Sequence, residues 1–135
     1  MTGRFREPGP DDRQLAWVWF AAALTAPILA WAWLRLGLGT PGCAFHRLTG
    51  VPCPTCGTTR AVQAALAGRL LEAFAWNPLM TAAIAFFELG GLAAPFWLMA
   101  GGRLPRLGPA LPRWVRYAMV AAILANWLWL ILHGV

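Results

Sequence analysis

The sequence predicts an all-α membrane protein, with three transmembrane helices and a short amphipathic interfacial helix in the first connector. Two features of composition and one pattern predict this fold class. The chain has 135 residues, of which 59% are hydrophobic and only 12% are charged. A soluble domain of this length cannot bury so much apolar surface, because small domains have a high ratio of surface to volume. The apolar residues also concentrate in three runs long enough to cross a bilayer.

The chain is expected to form one integral membrane domain, residues 1–135. The apolar spans cover residues 15–36, 79–100 and 114–132. Each has about 20 residues, which as a helix crosses a hydrocarbon core about 30 Å thick. The spans should be helical because lipid offers no partners to backbone polar groups, and Trp residues near the ends of each span are typical of headgroup-level rings. The remaining segments are a tail, a first connector and a second connector, at residues 1–14, 37–78 and 101–113.

The arginines predict how the spans are oriented. All eleven basic residues of the Lys/Arg class are Arg. Seven lie in the tail and at the second connector, which share one side in a three-span protein, and four lie on the other side. Because short cytoplasmic segments carry the excess of positive charge, we expect a cytoplasmic N-terminus and an outward-facing first connector. The arginines flank apolar spans rather than forming one patch, which favours lipid headgroups over nucleic acid as their partners.

The residues able to carry chemistry are concentrated in the first connector, in the stretch CAFHRLTGVPCPTCGTTRA at 43–61. It holds all three cysteines and one of the two histidines. Cys43 and His46 form one close pair of potential ligands, and Cys53 and Cys56 form another. Two such pairs are how tetrahedral structural zinc sites are assembled, although the loop between them is shorter than in most zinc fingers. These four residues are candidate metal ligands, with zinc as the expected ion.

Two other interpretations of the cysteines remain open. A structural disulfide, Cys53–Cys56 or one that includes Cys43, would suit an outward-facing loop. A redox-active dithiol is the second alternative. If Pro54 takes the first helical position, Cys56 lies in the first turn, where the helix dipole favours thiolate, and Arg60 on the same face would add to that effect. Cys53 would then be the attacking thiolate, Cys56 its partner and Cys43 a shuttle thiol.

The rest of the first connector has a helical pattern over residues 56–76. Apolar residues recur at every fourth position, at Val62, Leu66, Leu70 and Phe74. This pattern predicts an amphipathic helix in the membrane interface, which Gly68 should divide or bend. Asn77 and Pro78 form a start signal for the second span, with Asn as the cap and Pro in the first helical position.

A few polar or small residues within the spans are also candidates for a role. Glu88 lies near the middle of the second span, where an ionisable group is costly and is either functional or a protonated hydrogen-bonding group. Asn126 is expected to form interhelical hydrogen bonds. Gly90 and Gly91 would allow another helix to approach closely. His133 ends the third span on the side of the cysteines and is a candidate extra ligand.

The first connector and the start of the second span resemble the signature of a family of small bacterial membrane proteins, domain of unknown function 2752. Its pattern is similar to C-x-x-H, then G-x-x-C-P-x-C-G-x-T-R-A, then G-x-x-x-x-A-F-x-x-N-P. The matching residues are Cys43, His46, Gly50, Cys53, Pro54, Cys56, Gly57, Thr59, Arg60, Ala61, Gly68, Ala73, Phe74, Asn77 and Pro78. The resemblance implies a multi-span protein of a bacterial plasma membrane, and it implies no particular activity.

The function expected from these observations is a non-catalytic membrane protein that binds zinc and serves as an accessory component of an envelope complex. Three short helices leave little room for a substrate cavity. Its partners would be the lipid bilayer and either another membrane protein or a second copy of the chain. The alternative function is that of a membrane thiol–disulfide oxidoreductase that uses Cys53 and Cys56.

Overall fold

The computed structural model describes residues 5–38, 42–105 and 112–134. Within these ranges the helices are α1 Pro10–Arg35, α2 Ala44–Thr49, α3 Thr58–Leu66, α4 Leu70–Trp76, α5 Pro78–Met99 and α6 Arg113–Leu132. Two short strands, β1 Phe5–Arg6 and β2 Leu104–Pro105, pair in antiparallel register. Residues 1–4 of the predicted tail and residues 106–111 of the predicted second connector, including Arg4 and Arg106, lie outside the described residues.

Helices α1, α5 and α6 correspond to the three predicted spans, and each is long and apolar enough to cross a membrane. In their most apolar windows only 11–17% of residues are buried inside the protein. Large apolar side chains therefore cover the outside of all three helices, which indicates a lipid bilayer as their solvent. The expectation of an all-α membrane protein is confirmed.

The first long helix begins five residues earlier than the apolar pattern predicts. Its first turn is polar, with Pro10 in the first position followed by Asp11 and Asp12. Gly9 N–H donates a hydrogen bond of 2.8 Å to Asp12 Oδ2, which satisfies a backbone donor at the start of the helix. The same carboxylate binds Arg6 in a bidentate pair, with distances of 2.6 and 2.7 Å.

The main helix–helix contact of the protein joins α1 and α5. It is closest at two adjacent glycines of α5. A Cβ atom placed on Gly91 would lie 2.7 Å from the Ala23 Cβ, and one placed on Gly90 would lie 2.7 Å from the Trp19 ring. The expected role of Gly90 and Gly91 in a close helix approach is therefore confirmed. Phe20 and Phe96 continue the contact, with ring centroids 5.9 Å apart in an edge-to-face arrangement.

The first connector folds into three short helices, where the sequence predicts one amphipathic helix. The expected division occurs at Gly68, whose φ of 75° is left-handed and ends the turn that follows α3. Three alanines of the connector, Ala61, Ala64 and Ala73, are almost fully buried. Their small side chains allow α3 and α4 to pack closely against each other. The connector is therefore a compact unit that rests on the ends of α5 and α6.

The short strand pair lies at the opposite end of the chain's long helices. Because β1 precedes α1 and β2 follows α5, their pairing brings the tail and the second connector together. This neighbourhood agrees with the expectation that these two segments share one side of the protein.

Candidate metal centre

The first cysteine of the connector caps helix α2. Cys43 has extended backbone angles, and its Sγ accepts a hydrogen bond of 3.4 Å from His46 N–H. The helix ends after one and a half turns at Gly50, whose φ of 73° reverses the chain direction. The chain then returns through Val51 and Pro52 to the second cysteine pair. The local sequence thus folds back and brings Cys43 next to Cys53.

The second cysteine pair lies in a turn that precedes a helix. Cys56 N–H donates a hydrogen bond of 2.9 Å to Cys53 O, and helix α3 begins at Thr58 after the left-handed Gly57. The expectation that Pro54 occupies a first helical position, with Cys56 in the first helical turn, is wrong. Gly57, with φ of 79°, interrupts the helical geometry between the turn and α3. In addition, the side-chain amides of Asn77 and Asn126 donate hydrogen bonds to backbone carbonyls of this turn.

Three thiols meet at the junction of these two segments. The Sγ atom of Cys53 lies 3.3 Å from that of Cys43 and 3.4 Å from that of Cys56. The three sulfur atoms all lie within 4.8 Å of one another. In a tetrahedral zinc site with Zn–S bonds of about 2.3 Å, two sulfurs lie about 3.8 Å apart, whereas a disulfide needs about 2.05 Å. The two separations from Cys53 are therefore about half an ångström shorter than the spacing in such a zinc site and well beyond a disulfide bond.

The two histidines are placed differently with respect to these sulfurs. His46 is exposed on α2 and lies outside the group of three thiols, but it lines the same cleft of about 500 Å³ as they do. The ring of His133 stacks on Trp129 at 3.7 Å, and its Nδ1 lies 2.9 Å from Trp129 O. His133, the candidate extra ligand, is thus engaged within α6 and is not part of the cluster.

The environment separates the acidities of the two cysteines in the turn. Burial by itself raises the pKa of Cys53, but hydrogen bonds from Thr55 Oγ1, at 3.2 Å, and from the Cys43 and Cys56 thiols lower it to about 7. Cys56 is buried, and this burial, together with its hydrogen bonds to the other two thiols, raises its pKa to about 12. At pH 7 Cys53 is therefore about half thiolate, whereas Cys56 is protonated.

Arg60 does not act on the thiols in the expected way. Its guanidinium lies 4.7 Å from the centre of the Trp76 ring, in a cation–π contact between α3 and α4. The groups that lower the pKa of Cys53 are Thr55 and the two other thiols. Arg60 lines the cleft and stabilises the connector. The Cys53 thiolate is stabilised by hydrogen bonds rather than by Arg60.

Sequence reasoning missed the residues that hold the cysteine turn in place. Asn77 Nδ2 donates to Pro54 O at 3.2 Å and to Cys56 O at 2.8 Å. Its Oδ1 accepts from Met80 N at 3.0 Å, so the expected role of Asn77 as the cap of α5 is confirmed. Asn126 of α6 contacts the same turn. The presence of Asn77 in the family signature was the one sequence signal for this role, and nothing marked Asn126 as part of the site.

Glu88 lies away from the cysteines. It lines an apolar cleft of about 520 Å³ among α1, α3 and α5, beside residues such as Pro27, Leu66 and Phe87. Its side chain is half-buried in that cleft. Whether Glu88 is functional or a protonated hydrogen-bonding group stays a prediction.

Together, the fold and the cluster define a protein with three membrane-spanning helices and a cysteine-rich connector folded onto their ends. Residues 43–99 match the family described as a protein of unknown function (DUF2752), so the resemblance predicted from the sequence is confirmed over that range. No curated protein and no solved structure matches the chain. The family match agrees with the fold and adds no activity.

Proposed function

We propose that this is a non-catalytic protein of a bacterial plasma membrane, whose first connector binds one zinc ion on the outer side. The proposed ligands are Cys43, His46, Cys53 and Cys56. The observation that carries the proposal is the convergence of three sulfur atoms within 4.8 Å of one another. The three thiols come from two segments of the connector, and they are all the cysteines that the chain has.

The chemistry of the donor set supports zinc. Thiolate and imidazole are the ligands that zinc prefers in tetrahedral structural sites. Three sulfurs leave one position of the tetrahedron, and His46 is the imidazole that lines the same cleft, one helical turn after Cys43. A bound zinc ion deprotonates its thiol ligands, so even Cys56, with a pKa of about 12, would bind as thiolate.

Metal analysis of the purified protein in detergent tests this proposal. We expect about one zinc ion per chain, and almost none in the double variant Cys53→Ser, Cys56→Ser. Gln63→Ala is the matched control, because Gln63 lines the same cleft without being a proposed ligand. Equal zinc content in the double variant and the wild type would end the proposal.

The proposed orientation has its own test. It is supported by the excess of arginine in the tail and the second connector. In intact cells, a thiol reagent that does not cross membranes should label the three cysteines once a chelator has removed the metal. Labelling that requires broken cells would place the connector in the cytoplasm. The accessory role in an envelope complex is supported by the exposed apolar surfaces of α1, α5 and α6, which offer room for a membrane partner.

A second candidate function is thiol–disulfide exchange, favoured by the separated acidities in the turn. Cys53 has a pKa near 7, which is the optimum for an attacking thiol, and its partner Cys56 lies 3.4 Å away. In this reaction the Cys53 thiolate attacks a partner disulfide and releases one partner thiolate. Cys56 then gives up its proton to the first released thiolate, attacks the Cys53 sulfur of the mixed disulfide, and displaces the second partner thiolate. The products are a Cys53–Cys56 disulfide and a partner reduced by two electrons.

Redox titration distinguishes the two candidates. An exchange-active dithiol equilibrates reversibly with glutathione buffers, whereas a structural disulfide resists mild reductant. Thiols that are protected by zinc become reactive after chelation alone. Reversible cycling without any effect of chelator would favour the oxidoreductase over the metal centre.

A further inference from the structure

Helix α6 is attached to the rest of the protein through a few side chains in its second half. It packs against α5 over only a short stretch. Its only buried residues are Asn126 and Leu130. Most of its other apolar side chains are exposed. The position of α6 therefore depends on the packing of Leu130 and on a few hydrogen bonds.

Those hydrogen bonds converge on the cysteine turn. Asn126 Nδ2 donates to Pro54 O at 3.0 Å, and Trp127 Nε1 donates to Pro52 O at 2.7 Å. Pro54 O also accepts the bond from Asn77 at the start of α5. We call Asn77, Asn126 and Trp127 the carbonyl clamp, because all three donate to carbonyl oxygens of residues 52–56.

The clamp supplies hydrogen-bond donors to the carbonyls of Pro52, Pro54 and Cys56. Pro52 is buried, and its carbonyl lies just before the cysteines, outside any helix. A buried carbonyl left without a donor costs about 1–3 kcal/mol. Asn126 Oδ1 also accepts from Leu79 N at 3.0 Å, which is one of the first-turn donors of α5 without a partner in its own helix. Asn126 therefore ties together the turn, α5 and α6.

We propose that docking of α6 and metal binding at the cysteines are coupled through the carbonyl clamp. With α6 docked, Asn126 and Trp127 hold the Cys53–Cys56 turn in the arrangement that brings its sulfurs to Cys43. This inference rests on the proposed zinc site and names its regulation. A membrane partner that draws α6 away from the clamp would release the turn and weaken metal binding.

The coupling acts in both directions. If docked α6 raises the affinity for metal by some factor, bound metal favours the docked α6 by the same factor. The metal affinity of the connector then depends on whether α6 is docked, and the docking of α6 depends on whether metal is bound at the connector. Because of this reciprocity, the coupling free energy can be measured either from the metal affinity or from the docking of α6.

A pair of tryptophans on α6 provides a matched test in the full-length protein. Trp127→Phe removes a bond to the turn, whereas Trp129→Phe removes a bond of 3.2 Å to Ala75 O, outside the turn. Zinc affinity is measured by competition with a chromophoric chelator. We expect about a ten-fold loss for Trp127→Phe, from one lost hydrogen bond, and less than about a two-fold loss for Trp129→Phe. The thermal stabilisation produced by zinc should fall in the first variant and not in the second.

A measurement without metal keeps the clamp testable on its own. In zinc-free reduced protein at fixed pH, the buried Cys56 should be alkylated several-fold faster in Trp127→Phe than in Trp129→Phe. Asn77→Ser is a second clamp variant. Its hydroxyl still caps α5, so it should preserve the helix while losing the amide that binds Pro54 O and Cys56 O.

The outcomes separate this inference from the proposed function. A wild type that binds no zinc would overturn the zinc site and the coupling to it, and the alkylation rates would then decide the clamp alone. A wild type that binds zinc, with equal affinity in both tryptophan variants and in Asn77→Ser, would overturn the coupling and leave the zinc site standing.

Discussion

Replacing Thr55 with valine should raise the pKa of Cys53. The hydroxyl of Thr55 lies 3.2 Å from the Cys53 sulfur, and its hydrogen bond stabilises the thiolate. Valine has a similar shape and no hydroxyl. A hydrogen bond to a charged group contributes about 1.5–3 kcal/mol, and the lower end applies here because Thr55 is exposed and water replaces part of the bond. Since one pKa unit is about 1.4 kcal/mol, the expected increase is about one unit.

The direction of the pH dependence follows from this assignment. In the wild type, Cys53 is about half thiolate at pH 7, because its pKa is about 7. Alkylation by iodoacetamide should therefore increase through pH 7 in the wild type and through about pH 8 in Thr55→Val. The assay follows each cysteine of the zinc-free, reduced protein by peptide mass spectrometry. The midpoint of the profile is the useful quantity, because a thiolate of higher pKa is also more nucleophilic and the rate at one pH changes less.

Thr58→Val is the matched control. The Thr58 hydroxyl donates a hydrogen bond of 2.6 Å to Thr55 O and does not contact the sulfur. Its midpoint should match that of the wild type. The reasoning is refuted if Thr55→Val keeps the wild-type midpoint, or if both variants shift equally, since a general loosening of the turn would then explain the effect.

Three further predictions concern the helix contact, the cation–π pair and the metal. Gly91→Ala should destabilise the protein by about 1–3 kcal/mol, because the new methyl group would lie 2.7 Å from Ala23 Cβ; an unchanged unfolding temperature by tryptophan fluorescence in detergent would contradict this. Arg60→Gln should lower that temperature by removing the contact with Trp76 while leaving the alkylation midpoint of Cys53 unchanged, and an increased midpoint would restore Arg60 as a thiolate-stabilising group. Zinc should dissociate as pH falls, because protons compete for its ligands; a metal content independent of pH down to about 4 would argue against thiolate coordination.

The membrane-spanning helices were predictable because their signal is local. A run of about 20 apolar residues is unfavourable in water wherever it occurs, and in lipid it must be helical. The N-terminus of α1 could not be predicted in this way. Its first turn is polar and depends on Gly9, Asp12 and the fixed backbone of Pro10 rather than on hydrophobicity. The start of α5 was predictable, since the Asn77–Pro78 pair is a local capping signal.

The cysteine turn was only partly predictable. Its sequence identified the potential ligands, but the expected helix start at Pro54 was wrong. A proline after a capping residue favours a helix start locally, and tertiary hydrogen bonds to the carbonyls of Pro54 and Cys56 override that preference. The same contacts leave Thr55 free to bind the Cys53 sulfur.

The sequence by itself determined the medium of this protein, the number and kind of its long helices, and the segment that carries its thiols. These properties depend on composition and on spacing over a few residues to a few tens of residues. Only the tertiary structure decided that the three sulfurs meet, that Cys53 is the acidic one, and that Asn126 lies against Pro54 O. The physical reason differs between these contacts: Asn126 and Pro54 are 72 positions apart in the chain, whereas the sulfurs meet because the chain reverses at Gly50 and then forms the Cys53–Cys56 turn.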